Sequence, residues 1–454
     1  MATLWRPKSS DPIPTAVPAK PKPTKQFRQL REQLVDCARE AGGQVTARTR
    51  AAGLGQAYRA LEANGKLEFL DLLAKEFGPN PTATAKAHAA YAESIGTPNE
   101  WKSEMALREA VISPRSRILT QFNALPDGLK FLMDLRADLL RFQNEHPDLA
   151  VLDQDLKAQL TSWFDVGFLT LERITWHSPA ALLEKLIEYE AVHAIQSWAD
   201  LKNRLDSDRR CYAFFHPRMP LEPLIFVEIA LTSQLSSNIE SLLDEHAPVH
   251  ATEKADTAIF YSISSAQVGL RGVSLGNFLL KRVIEDLQRD LPRLKVFSTL
   301  SPMPRFRMWL DECLAGKLEH PLKVDDFKKL AAATGDRAGR PTLRRVLGDA
   351  KWSGDAVLAE ALREPMTKLA AYYLLRVKKD TVPADPVARF HLGNGSRVER
   401  LNWLADRSVK GFAESYGMMV NYRYLPDDIE ENVESFTYEG KIAATSVIQR
   451  AAGM

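Results

Sequence analysis

A serine fixed before a proline, a histidine beside a glycine loop, and a glycine-bearing turn that opens a helix are the residues of this chain best suited to chemistry. The stretch Thr257–Phe306, TAIFYSISSAQVGLRGVSLGNFLLKRVIEDLQRDLPRLKVFSTLSPMPRF, reads as strand, turn, helix, strand and Ser-Pro corner. Its turn carries Gly269, Gly272 and Gly276 ahead of an amphipathic run from Phe278. A helix N-terminus offers unpaired N–H groups and a partial positive charge, and glycines let a phosphate approach them with no Cβ in the way. The P-loop Lys-Ser/Thr and the GxGxxG spacing are both missing, so a plain connection between elements competes with a ligand loop. Ser301 sits at the end of the strand KVFSTL, directly after Leu300, and is pushed into an extended conformation by Pro302. A turn or capping serine for the following RMWLDECL is its ordinary reading. His391, in ARFHLGNGSR, precedes a Gly-Asn-Gly loop; imidazole suits proton transfer near neutral pH, and equally a bond to loop backbone. Tyr424 closes VNYRY, where most tyrosines are simply packed. His216, Glu222 and Glu228 gather in FFHPRMPLEPLIFVE, where strand-end solvation or a buried pair explains them equally well.

The elements that must position these residues occupy the second half of the chain. From Gln26 to about Trp176 helical patterns follow one another, from FRQLREQLVDCA through GLKFLMDLRADLLRF to LDQDLKAQLTSWFDVGFLTLERI, separated by Gly, Pro and Asn. Short connections favour antiparallel neighbours and an all-α domain. Ser178-Pro179 starts the next helix, and the domain boundary is expected just before it. Strands then begin: CYAFF and PLIFVEIAL as a hairpin, AIFYSI and KVFSTL around a helix. From Arg305 to about Lys379 the pattern is helical again, read as five runs, longer than a connection requires. A short strand MMVNYRY and a helix from about Lys441 complete the chain.

At 454 residues the chain is long enough for two or three cores. The expected division is a Pro/Lys-rich lead over 1–25, a helical domain over 26–177 and a mixed α/β domain over 178–454. Sixty basic residues against 58 acidic ones give a net charge of +2, which argues against a bulk nucleic-acid or membrane partner. Three widely spaced cysteines, Cys37, Cys211 and Cys313, support neither a disulfide framework nor a cysteine zinc site. No apolar run approaches a membrane span, no secretory segment follows the start, and the C-terminal AAGM is no peroxisomal address, so the cytoplasm is the expected location.

Gln267 and Arg271, followed by Gly272, Ser274 and Gly276, resemble the Q/RxxGxG/A pyrophosphate loop of the GNAT acyltransferase superfamily, with Ser274 where glycine is usual. CYAFFHPRMPLEPLIFVEIALT (Cys211–Thr232), SPMPRF (Ser301–Phe306) and the run Ala388–Tyr424 together resemble the malonyl-CoA decarboxylase family, over most of the chain and most densely from Cys211 to Tyr424. The resemblance implies an α + α/β fold: an N-terminal all-α bundle contributing to a homotetramer, then a GNAT-like mixed α/β catalytic domain with a helical insertion. It implies that coenzyme A is held by Gln267 and by Arg271, Gly272, Val273, Ser274, Leu275, Gly276 and Asn277. Ser301 corresponds to the catalytic serine of the family's SPxPxF motif, with Arg305 where glycine is usual; His391 corresponds to the proton donor and Tyr424 to a pocket tyrosine, the three forming the expected catalytic set. The expected reaction is loss of CO2 from malonyl-CoA to give acetyl-CoA, through an enolate stabilised in the site. Neither a metal nor an organic cofactor is expected, coenzyme A being part of the substrate. A GNAT-type acyltransferase and a non-catalytic acyl-CoA-binding module are the alternatives.

Overall fold

The computed structural model describes residues 25–38, 43–273 and 275–454, so the lead up to residue 24 and Ser274 lie outside the described residues. The chain divides into two compact units, the first ending at Leu156 and the second beginning at Lys157. The first unit is helical: Lys25–Ala38, Gly43–Arg59, Ala63–Glu76, Pro81–Ser94, Glu100–Ala110, Pro114–Asn123 and Gly128–Phe142 (α1 to α7), and the start of Ala150–Trp163 (α8). Its core forms where apolar residues recur at helical spacing, as in α7, which buries Leu129, Leu132, Leu135 and Leu139 on one face. Tyr58 packs against Phe69 and Phe131 at ring distances of 4.9 and 5.8 Å.

The helical run expected to reach Ile174 stops at Trp163, and Thr170–Ile174 is instead strand β1. Five residues with a half-exposed pattern carry too little periodicity to declare a strand. The segment is fixed by its antiparallel ladder to Arg209–Phe215 (β2), from Thr170↔Phe215 to Ile174↔Cys211. That pairing is non-local, and it places β1 within the second unit, which begins at Lys157.

Ile225–Thr232 (β3) and Thr257–Ser265 (β4) continue the antiparallel sheet, and Val296–Thr299 (β5) lies parallel to β4 across the helix between them. Ser301–Pro302 (β6), the small ribbon Lys378–Lys379 with Val382–Pro383 (β7, β8), Arg397–Asn402 (β9) and Met419–Tyr424 (β10) complete the strands. The large sheet runs β1-β2-β3-β4-β5-β10-β6, with β9 on the other side of β10. Both the hairpin and the strand-helix-strand unit expected from the sequence are therefore present, while β9 carried no strand signal.

Beyond β1 the helices are Ala180–Tyr189, Trp198–Arg204, Glu240–Leu243 and Gly276–Asp290 (α9 to α12). The helical insertion follows as Phe306–Leu314, Lys328–Thr334, Arg340–Gly348 and Ala356–Arg376 (α13 to α16). Two of its expected runs are one helix, since α16 passes through Pro365 without ending. Burial outweighs the missing hydrogen bond there: Leu362, Met366, Leu369 and Ala370 are fully enclosed around the proline. Pro386–Gly393, Val409–Ser415, Ile429–Glu434 and Ser446–Ala451 (α17 to α20) close the chain, the last beginning five residues after the expected Lys441. Cys37, Cys211 and Cys313 are buried and unbridged, and among the described residues no helix is long and apolar enough to cross a membrane.

Candidate active site

Strand β10 changes partners along its length, and the site lies at the change. Its C-terminal half pairs with β5, through Tyr424↔Phe297 and Arg423↔Ser298; its N-terminal half pairs with β6, through Val420↔Ser301 and Met419↔Pro302. The strand is broken at Leu300, whose N–H bonds to the Phe260 carbonyl at 3.0 Å, between Thr299 and Ser301. Side chains seal the gap. Thr299 Oγ1 accepts the Tyr422 N–H at 3.1 Å, and Asn421 Nδ2 donates to the Thr299 carbonyl at 2.6 Å. The break turns the Ser301 hydroxyl inward, where it donates to Thr299 Oγ1 at 2.9 Å and lies 3.0 Å from His391 Nε2.

His391 is carried by α17, whose start was written in Asp385-Pro386. The Asp385 carboxylate caps the helix by accepting the Val387 and Ala388 N–H groups, and Pro386 occupies the first turn. The ring is stacked on Tyr422 at 4.7 Å and 25°, and Nδ1 is 2.8 Å from the Tyr424 hydroxyl. Ser301, His391 and Tyr424 are respectively 6%, 3% and 1% exposed, so the three groups form one dry hydrogen-bonded chain. Desolvation pulls the His391 pKa down to about 3 and pushes the Tyr424 hydroxyl well above its usual value. Burial likewise raises the Asp385 carboxyl to about 6, although the two backbone N–H groups and Tyr373 lower it.

Helix α12 meets this cluster at its N-terminus. Val268–Leu270 forms a single 3-10 turn, Gly272 adopts φ +78°, and α12 begins at Gly276 with no side-chain cap. A Cβ at Gly276 would lie 2.3 Å from Cε2 of Phe390, the residue before His391, so any larger residue there must displace the Phe390 ring. Gly276→Ala is therefore expected to push the Phe390 ring and, with it, α17. A displacement on that scale should lower kcat by about tenfold or more, with partial recovery in Gly276→Ala/Phe390→Leu, measured by steady-state kinetics.

The sequence-predicted loop residues are not all placed alike. Arg271 and Gly272 are exposed, Leu275 and Gly276 are buried, and Val273 is intermediate. Gln267 is 5% exposed and donates to the Pro223 carbonyl at 3.1 Å and to Glu222 at 3.4 Å. Glu222 is further engaged by Lys185 at 2.5 Å, His216 packs on Phe164, and Glu228 sits against Arg204, so none of the three joins the Ser301 chain. Thr299, Tyr422 and Asp385 were not singled out from the sequence. Only Asp385 left a signal there, as the cap of an Asp-Pro helix start. Among the described residues no group of three or more His, Cys, Asp or Glu side chains could hold a metal ion.

Two family models match the chain: "Malonyl-CoA decarboxylase C-terminal domain" over residues 167–453 and "Malonyl-CoA decarboxylase N-terminal domain" over residues 77–164. A mitochondrial malonyl-CoA decarboxylase of Anser anser anser is 38% identical over 417 residues, 88% of this chain and 83% of that one. The mitochondrial enzyme of Rattus norvegicus is 39% identical over 402 residues, 85% and 82% of the two chains. Among solved structures, the malonyl-CoA decarboxylase of Agrobacterium vitis superposes with a TM-score of 0.85 at 40% identity, over 94% of this chain and all of that one. The Rhodopseudomonas palustris protein gives 0.84 at 39% identity, over 93% and 99%.

Proposed function

Because the chain belongs to the malonyl-CoA decarboxylase family, a family of carboxy-lyases, we propose that it converts malonyl-CoA to acetyl-CoA and CO2 without a metal or organic cofactor. The observation that carries the site assignment is the buried chain Ser301–His391–Tyr424 at 3.0 and 2.8 Å. In the reaction the bond between Cα and the carboxylate carbon breaks, its electron pair passes into the thioester enolate, and one proton must be returned to Cα. A neutral, desolvated imidazole is a poor acid until negative charge arrives beside it. The malonyl carboxylate and then the enolate supply that charge, which favours the imidazolium. As that charge arrives His391 takes up one proton at Nδ1; Cα then takes the proton of the Ser301 hydroxyl and the imidazolium returns it from Nε2, leaving a neutral ring, so that one solvent proton is consumed per turnover. A dry pocket favours loss of the carboxylate, whose hydration is given up on entry.

Coenzyme A is assigned to the turn before α12. Gly272 at φ +78° and the uncapped first turn of a 15-residue helix leave backbone N–H groups for a diphosphate, with Arg271 exposed beside them. Gln267, turned toward Pro223, shapes the start of this loop rather than gripping the ligand. Ser274 and the Asn277 side chain complete the assignment from the family pattern alone. The resemblance to the family supports a role in fatty acid metabolism and a homotetramer assembled through the helical unit as parts of the same proposal.

Purified protein given malonyl-CoA should release CO2 and acetyl-CoA in equal amounts, at a rate unchanged by EDTA. No CO2 release would overturn the reading, and acyl transfer to an added amine would move the protein to the acyltransferases. Loss of turnover with EDTA, restored by a divalent ion, would overturn metal independence.

A further inference from the structure

We infer that Thr299 is a positioning residue: its hydroxyl takes the single proton of Ser301 and so fixes His391 as the tautomer protonated on Nε2, with Tyr424 donating to Nδ1. The inference rests on the decarboxylase reading for its kinetic consequence, and on hydrogen-bond valence for its structural one. Thr299 is fully buried and its Oγ1 has two donors around it, Ser301 Oγ at 2.9 Å and the Tyr422 N–H at 3.1 Å. A serine hydroxyl carries one proton. Once that proton points at Thr299, Ser301 can meet His391 only as an acceptor, and the 3.0 Å contact must be filled from Nε2–H. A buried neutral imidazole then has a bare Nδ1, and the Tyr424 hydroxyl 2.8 Å away supplies the matching donor. The chain therefore runs in one direction, Tyr424 to His391 to Ser301 to Thr299.

The reverse direction would send the Ser301 proton to Nε2 and make His391 a base toward serine, the arrangement suited to a nucleophilic hydroxyl. Decarboxylation needs the opposite. The serine proton must be free to go to carbon, and the nitrogen behind it must already hold the replacement. Thr299 keeps the serine proton off the imidazole between turnovers. Its position is secured because the same oxygen closes the gap between β5 and β6 by accepting the Tyr422 N–H, which would otherwise be an orphaned donor in the core.

The test is the nitrogen-15 spectrum of histidine-labelled protein, with the His391 signals identified by their absence from His391→Asn. Wild type should show a protonated Nε2 and a bare Nδ1. Thr299→Val should move the proton to Nδ1 and lower kcat by about 10- to 100-fold with KM within about twofold, as loss of an orienting outer partner does. Thr299→Ser, which keeps the hydroxyl, should retain both the tautomer and the rate. A wild-type His391 protonated on Nδ1 would overturn the inference, as would a Thr299→Val protein that keeps both tautomer and kcat. Should Thr299→Val fail to fold, the wild-type and Thr299→Ser spectra still decide. Absence of decarboxylation by wild type would defeat the functional reading alone, because the tautomer is read without turnover.

Discussion

Replacing His391 with asparagine is expected to lower kcat for malonyl-CoA by about 10³-fold, within the usual range for a positioned acid or base. Asparagine keeps a polar side chain near Ser301 and Tyr424 but has no group that can cycle a proton at neutral pH. CO2 release and single-turnover formation of acetyl-CoA would both report the loss. A rise in KM with kcat intact would instead make His391 a binding residue. The same substitution should alter the pH dependence of stability. The folded pKa of His391 is depressed from 6.5 to about 3, so its contribution is fully present above about pH 6.5 and is lost as pH falls toward 3. His391→Asn should accordingly melt with a shallower loss of stability in acid than wild type, and an equal slope would show that His391 is not held neutral.

Arg204→Met is expected to remove about 3–5 kcal/mol of stability, the cost of leaving buried charge without its partner. Arg204 donates to Asp200 at 2.7 and 3.1 Å, to Glu228 at 3.0 Å and to the His193 carbonyl at 2.9 Å, and Arg204, Asp200 and Glu228 are all buried. Glu190 is a third carboxylate nearby, held by Ser262. Burial first, and Glu190 second, hold the Glu228 carboxyl above its usual range even with Arg204 beside it. Removing the guanidinium raises it further. A carboxyl with a raised folded pKa favours the folded state below its unfolded pKa and loses that advantage as pH rises, so the defect should be larger at pH 8 than at pH 6. Urea denaturation at the two pH values checks this. A loss below about 1 kcal/mol, or one independent of pH, would mean that the cluster is not a mutually compensated charge group.

The legible parts of this molecule were those written in short-range pattern. The amphipathic runs of the first unit, the β2–β3 hairpin and the β4–α12–β5 crossover all announce themselves through period and turn residues. Strand β1 did not, because its identity depends on a ladder to β2 some forty residues on. Pro365 misled for the complementary reason, a local breaker overruled by the core around it. At the site, Ser301, His391 and Tyr424 were reachable through family motifs, whereas Thr299 and Tyr422 were not. Their importance arises from a switch of strand partners that no window of sequence contains. Gln267 adds a contact that the motif did not contain, the bond from its amide to the Pro223 carbonyl.

The interrupted edge where β10 leaves β5 for β6 also sets the order of assembly. Ser301 and His391 stand 90 residues apart, and the helices α13 to α16 lie between them. Closing a loop of that length costs entropy that only the completed contacts can offset, so the last strand is expected to dock late. Strands β1 to β5 can pair among themselves while β10 is still unbound. Recovery of activity during refolding should therefore lag behind recovery of sheet content, and turnover becomes a clock for the final docking step.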